Sequence, residues 1–268
     1  MKFRCERDVL VEALGTAGRA STTRNALPVL SGLRMAVEGN RLEITGSDLD
    51  MTITIALEVA GAADGVAVLP AKLAADIVRH FDPGAIEVDA TGERPRVSGG
   101  RSEFFINAMP ADEYPTRPEP SGESVTLAAG ALADGLRQVV KAASRDDSRP
   151  VLTGVLMTAE DDGLRLVSTD SYRLAVRDIP GVAVLREGQQ VLVPHRALDE
   201  VSRLLEDDSD VTLVLGSSDV TFEIGELHVS TKLLMGDFPD YRKLIPEPTS
   251  HPLIIGRQAL MDALRSLS

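Results

Sequence analysis

A block of this chain occurs twice, and the repetition restricts the fold to a tandem architecture. Pro28, Val29, Leu30, Ser31 and Gly32 return as Pro150, Val151, Leu152, Thr153 and Gly154. In the same register Leu10 falls on Leu132, Leu14 on Leu136, Arg19 on Lys141 and Leu42 on Leu164. Gly46, Ser47 and Asp48 fall on Ser168, Thr169 and Asp170. After a small shift, Leu69 and Pro70 meet Val193 and Pro194, and Tyr114 and Pro115 meet Phe238 and Pro239. Ordered matches of this length imply one fold used twice.

Each copy carries the same periodicities. Val9, Leu10, Ala13, Leu14 and Ala17 follow Glu6 and Asp8 at helical spacing, and Leu132, Leu136, Val139 and Val140 repeat the pattern. Leu33–Val37, Arg41–Thr45 and the alternating Met51–Leu57 predict strands. Pro70 opens a second helix through His80, as Pro194 opens one through Leu205. Ala85–Asp89, Pro95–Ser98 and Glu103–Asn107 predict three closing strands. The expected class is α+β, with about eight strands and two helices per copy. Pro115–Gly122 is a stiff seam by composition, and Pro246–Pro252 is a second. The expected domains are residues 1–120 and 121–246. Beyond them, residues 247–268 form a linker and a helix in which Ala259, Leu260, Asp262 and Leu264 match Ala131, Leu132, Asp134 and Leu136. Its apolar residues Leu260, Leu264 and Leu267 are expected to lack cover.

At 268 residues the chain has room for two cores. It has no apolar run long enough for a membrane helix and no signal-peptide core, so a cytoplasmic protein without membrane attachment is expected. Cys5 is the only cysteine, and its place beside Phe3 predicts an inert, partly buried thiol. A net charge of −13 repels nucleic acid on average, and the absence of Trp argues against a base-stacking single-strand binder. Positive charge is nevertheless concentrated on the helices. Lys72 and Arg79 share a face of the second helix, and Arg196 and Arg203 occupy the same positions in copy two. Arg19 and Lys141 coincide on the first helices, with Arg137 four residues before Lys141. Acid is displaced into loops such as Glu160–Asp162 and Glu206–Asp208. Two readings stand: solvated faces with intrahelical pairs to Asp76 and Glu200, or a surface that meets phosphate.

Catalytic constellations form the rival class. Asp48 and Asp50 could pair on a metal as in a nuclease. Copy two, however, has Tyr172 where Asp50 falls, so Asp48 and Asp170 are expected as turn or capping groups. His80, His195, His228 and His251 show no metal spacing, and neither a phosphate loop nor a Gly-x-Ser-x-Gly elbow occurs. No cofactor and no metal are expected.

Three stretches resemble signatures of the bacterial sliding clamps, the β subunit of DNA polymerase III: Asn25–Gly32, Ser168–Val176 and Asp237–Pro246. The resemblance covers the whole chain, breaking off early in the third domain. It implies a non-catalytic processivity factor for DNA replication, an accessory subunit of the polymerase holoenzyme. It also implies a ring of two protomers, each with three copies of one fold, helices lining the hole around duplex DNA and sheets forming the outer wall. Arg24 matches a DNA-contacting position, joining Arg19, Lys72, Arg79, Arg137, Lys141, Arg196 and Arg203. A pocket for clamp-binding peptides of the replicative polymerase, clamp loader and repair polymerases is implied at Leu152, Thr169, Ser171, Tyr172, Arg173, Leu174, Pro239, Lys243 and Leu244. Family rings close through the third domain. The expectation for this chain, a fragment or short paralogue, is thus a monomer at low concentration and weak edge pairing at high concentration, without a closed ring. The alternatives are a ring-incompetent adaptor that binds partner peptides and, remotely, the metal-dependent nuclease.

Overall fold

The structure, a computed structural model, describes all residues except 24–26, 116–119, 161–162, 183, 247–252 and 268. Arg24, Asn25, Ala26, Asp161, Asp162, His251 and the centres of both expected seams lie outside the described residues.

Copy one runs β1 (Lys2–Glu6), α1 (Arg7–Gly18), β2 (Gly32–Glu38), β3 (Arg41–Ser47), β4 (Met51–Glu58), β5 (Ala60–Ala63), β6 (Gly65–Pro70), α2 (Ala71–His80), β7 (Ala85–Asp89), β8 (Arg96–Gly99) and β9 (Ser102–Phe105). Copy two runs β10 (Glu123–Ala128), α3 (Ala129–Val139), β11 (Gly154–Glu160), β12 (Gly163–Thr169), β13 (Leu174–Pro180), β14 (Gln190–Pro194), α4 (His195–Leu204), β15 (Asp210–Leu215), β16 (Asp219–Ile224) and β17 (Leu227–Lys232). The α+β class and the two helices per copy are as the periodicities require. Copy one has an extra strand because its chain continues past β4 into β5, which leaves that sheet to pair with β1. Gly61 permits the crossing: a Cβ there would collide with the carbonyl oxygen of Gly39.

Three antiparallel sheets result, in the orders β5-β1-β7-β8-β9, β13-β12-β11-β14 and β10-β15-β16-β17-β4-β3-β2-β6. The last is continuous across both copies, because β17 of copy two pairs with β4 of copy one from Leu227 opposite Ile55 to Thr231 opposite Met51. Residues Met1–Gly236 accordingly form one body, and Asp237–Ser268 a second.

The helices lie on the sheets by their apolar stripes. In α1, Leu10, Ala13, Leu14 and Ala17 are buried; in α3, Leu132, Ala133, Leu136 and Val139. Neither helix has a side-chain N-cap, so packing holds both. α1 rests on β3 and β4 beside α2, and α3 rests on β12 and β13 beside α4. The approach of helix to sheet is close enough to dictate residue type. A Cβ on Gly46 would collide with the Ala17 carbonyl oxygen. At the matching place in copy two, the Ser168 hydroxyl donates to the Val139 carbonyl.

Cys5 lies half-buried on β1, and burial, with Glu6 adding to it, pushes its thiol up to about 11, as an inert cysteine requires. The second body contains a single turn of 3-10 helix at Tyr241–Leu244 and α5 (Arg257–Arg265). No residue of α5 is buried, and Leu260, Leu264 and Leu267 are 42, 59 and 85% exposed.

Leu14 and Leu136 are 2 and 0% exposed at matching places. Leu14→Ala and Leu136→Ala should therefore each cost about 2–5 kcal/mol, read as matched shifts in urea midpoint. A cost at one position with none at the other would show that the two repeats bury different faces.

Candidate DNA-facing and partner-binding surfaces

The helices of the two copies meet in one row. Arg19 Nε, at the C-terminal end of α1, lies 2.7 Å from Glu200 Oε2 on α4, so the order is α2, α1, α4, α3. Their apolar faces pack on the sheets, and their polar faces point away from them. On that outward side stand Lys72 and Lys141, neither of which forms an ion pair with another described residue. Arg79 pairs with Asp76 at 3.0 Å, and Arg137 with Asp134. Arg203 pairs with Glu200 at 2.8 Å and also with Asp199. All three arginine side chains are more than half exposed.

Two of the expected phosphate-facing residues also reach across the repeats. Arg19 is held by Glu200, and Arg196 is bound to Asp48 of the other copy. Asp76 takes Arg79, not Lys72, and Glu200 takes Arg19 and Arg203, not Arg196. Spacing along one helix could not reveal Glu200 and Asp48 as partners across the repeats.

Asp48 builds a turn as well. Its Oδ1 accepts from the backbone N–H of Asp50 at 3.1 Å and of Met51 at 2.8 Å. Ser47 Oγ accepts from the N–H of Leu49, which stands at φ 79°. Copy two reproduces this turn at the expected pocket. Asp170 Oδ1 accepts from Tyr172 and Arg173 N–H at 2.9 and 3.0 Å. Thr169 Oγ1 accepts from Ser171 N–H at 3.1 Å and donates to the Arg173 carbonyl at 2.8 Å. Ser171 again has φ 79°, a left-handed conformation uncommon outside glycine. The Tyr172 and Arg173 N–H donors, followed by the Arg173 charge, hold the Asp170 carboxyl below the usual carboxylate range. Capping is thus the role of both aspartates, and no metal-binding group of His, Cys, Asp and Glu occurs among the described residues.

The turn presents Tyr172 with 95% of its surface open. Arg173 is tethered by its Nε to Asp170 Oδ2 at 3.0 Å, and Ser171 Oγ accepts from Arg149 at 3.1 Å. Leu174 is half-buried at the start of β13, and Leu152 and Thr169 are buried. Within the second body, Pro239, Lys243 and Leu244 are exposed, and Lys243 pairs with Asp240 at 2.8 Å. A depression of about 460 Å³ lies elsewhere, lined by Glu38, Asn40, Arg41, Ala56, Leu57, Glu58 and Glu226, and includes none of these residues.

Repeated two-helix units, joined edge to edge with their helices in one row, define a tandem clamp-domain protein. The family described as DNA polymerase III beta subunit matches this chain twice, by its N-terminal domain over residues 1–118 and by its central domain over residues 126–240. The chain is 32% identical to the beta sliding clamp of Streptomyces coelicolor, across all of this chain and 73% of that protein. It is 31% identical to the beta sliding clamp of Micrococcus luteus, across all of this chain and 87% of that one. Among solved structures, the sliding clamp of Pseudomonas aeruginosa bound to griselimycin superposes with a TM-score of 0.92 at 30% identity, covering 99% of this chain and 73% of that chain. The chain belongs to the DNA polymerase III beta subunit family, the beta sliding clamps.

Asp48 is 8% exposed and caps its turn while binding Arg196, whereas Asp170 is more open. Asp48→Ala should cost about 1–3 kcal/mol and Asp170→Ala less, measured by chemical denaturation. Equal costs would show that the contact between the repeats adds nothing to the cap.

Proposed function

We propose that this chain acts as a sliding-clamp processivity factor, a non-catalytic accessory subunit that tethers the replicative polymerase to duplex DNA. The supporting observation is the single row of four helices with Lys72, Arg79, Arg137, Lys141 and Arg203 on its outward side. Point charges on helices attract phosphate without reading bases, and a clamp that slides needs no stronger contact. On this reading, residues 1–120 and 121–246 are two clamp domains, and residues 247–268 are a linker and the first helix of a third. In full-length relatives, three such domains per protomer and two protomers would enclose the duplex. Arg19 and Arg196 hold the two domains together, and the half-exposed Arg196 keeps further donors for phosphate. No helix among the described residues is long and apolar enough to cross a membrane.

The second half of the proposal is the partner surface. Leu152, Thr169, Ser171, Tyr172, Arg173 and Leu174 of the first body receive peptides of the polymerase, the clamp loader and repair polymerases, and Pro239, Lys243 and Leu244 of the second body are further contact residues that the family resemblance implies. The support is the pre-formed 169–173 turn, which fixes Arg173 and opens Tyr172 beside the half-buried Leu174. The Pseudomonas aeruginosa relative was solved with griselimycin, and the same ligand should bind this chain.

Two measurements test the two halves. Duplex binding should be weak and independent of sequence. Replacing Arg79, Arg137 and Arg203 together by Ala should lower the slope of log K against log salt by about one for each phosphate no longer neutralised. A triple variant with the parent's affinity and slope would reduce the helix row to a solvated surface. By calorimetry, Arg173→Ala and Leu244→Ala should each weaken griselimycin about tenfold or more. Unchanged affinity in both would remove the pocket assignment.

A further inference from the structure

The two capping aspartates use one carboxylate oxygen alike and the other differently. In each repeat Oδ1 takes two backbone N–H groups of its turn: those of Asp50 and Met51 on Asp48, and those of Tyr172 and Arg173 on Asp170. Oδ2 of Asp48 goes to Arg196 of the sister repeat, and Met51, three places on from Asp48, is buried. Oδ2 of Asp170 instead takes Nε of Arg173, three places on in its own turn, at 3.0 Å. The cap needs only Oδ1, so it does not account for this ion pair. Folding stability does not account for it either, because the Arg173 side chain is 63% exposed and a pair so open adds little.

We infer, resting on the proposed assignment of Arg173 to the partner surface, that Asp170 is a positioning residue for partner peptides. It holds the Arg173 guanidinium with its Nη groups outward, toward a backbone carbonyl oxygen of the bound peptide. An ordinary exposed ion pair joins two mobile side chains and fixes neither. Here the carboxylate is already fixed by two backbone donors, and Arg173 meets it twice, by its own N–H and by Nε, each at 3.0 Å. The side chain is thus closed into a ring on the turn. Of the five donors of a guanidinium, this leaves the four on Nη, and one from each nitrogen can converge on a single carbonyl oxygen. A long side chain that is ordered beforehand loses less freedom when the ligand arrives, and affinity rises accordingly.

A second unit of the same build braces the first. Asp146 Oδ1 accepts from the Ser148 N–H at 3.0 Å, and Asp146 Oδ2 lies 3.5 Å from Nε of Arg149, again three places on. Arg149 Nη1 in turn donates to Ser171 Oγ at 3.1 Å, at the residue held at φ 79°. The brace therefore acts where the 169–173 turn is most strained. Copy one has Leu27 where Arg149 falls and Met51 where Arg173 falls. Both turn-borne arginines thus belong to copy two alone, although the cap is common to both repeats.

Calorimetry of griselimycin binding to the 268-residue chain tests this. Asp170→Asn keeps Oδ1 as the acceptor of both N–H groups and places an amide nitrogen, which cannot accept, opposite Nε. It should weaken griselimycin about fivefold at an unchanged urea midpoint. Arg173→Lys leaves the turn untouched and keeps the charge, but it has neither Nε nor the fork of Nη donors, so its loss should be about as large. Asp170→Asn added to Arg173→Ala should weaken binding no further, because Asp170 acts through Arg173. The Arg173 Nε–H, assigned by its absence from Arg173→Ala, should give a slowly exchanging NMR resonance in the free parent and lose it in Asp170→Asn. Full affinity in Asp170→Asn or in Arg173→Lys would overturn this role while leaving the partner surface in place, as would an Asp170→Asn loss that adds to that of Arg173→Ala. An Arg173→Ala variant that binds as the parent does would instead remove Arg173 from the partner surface, and the role of Asp170 with it.

Discussion

The backbone ladder between β4 and β17 is the contact on which the body Met1–Gly236 depends. It converts two four-stranded halves into one eight-stranded sheet and leaves no edge between the copies for water to solvate. It also merges the cores: Ala20, Met51 and Ile53 of copy one belong to the apolar cluster of copy two. Hydrophobic contact of this kind has no direction. The antiparallel hydrogen bonds set the register, and Arg19–Glu200 and Arg196–Asp48 set the helices against each other above it. The helix row therefore follows from the ladder, and every basic residue on that row is placed by it.

A repeat can drift in sequence only where its geometry allows. Gly46 and Ser168 show two chemical answers to one constraint, the closeness of a helix carbonyl: removal of the side chain, or a hydroxyl that donates to the oxygen. The 47–51 and 169–173 turns show the opposite case. Their capping aspartate and hydroxyl residue are retained, and both hold a non-glycine residue at φ 79°. Local strain of this kind persists only when surrounding bonds fix it. In copy one the turn serves the joint through Asp48. In copy two the same turn carries Arg173 and Leu174 at an edge strand.

Much of this was legible in the sequence, because a repeat read against itself doubles every periodic signal. α1, α2, α3 and α4, and the strands from β2 to β4 and β7 to β9, lie where apolar spacing and Pro70 or Pro194 place them. β1 escaped notice because Lys2–Glu6 shows only Phe3 and Cys5 as apolar alternation, and β5 because Ala60–Ala63 has no strand pattern at all. Their partners lie far along the chain, so their existence is a tertiary fact. For the surfaces, the recurrence of Asp48 and Asp170 revealed a cap, as found. The sequence could not distinguish a charge that faces outward from one that faces the sister repeat. Arg19 and Lys141 occupy one register position, yet the first is tied to Glu200 and the second has no ionic partner among the described residues.

That distinction also bears on how a chain with 41 acidic and 28 basic residues could hold DNA. Total charge acts over a range set by salt, and the screening length is about 8–10 Å under ordinary conditions. A helix layer packed on a sheet is at least about 10 Å thick, so acid on the far side of the wall is largely screened from a phosphate on the helix side. What a phosphate would meet is the local balance, in which Arg79 and Arg137 are each shared with one neighbouring carboxylate and Arg203 with two, whereas Lys72 and Lys141 have no ionic partner among the described residues. Shared arginines still offer hydrogen bonds, because a guanidinium has five donors and a carboxylate occupies at most two in a bidentate pair. On the proposed reading, such a surface would attract the backbone weakly everywhere and strongly nowhere, which is the condition for holding a duplex while leaving it free to move.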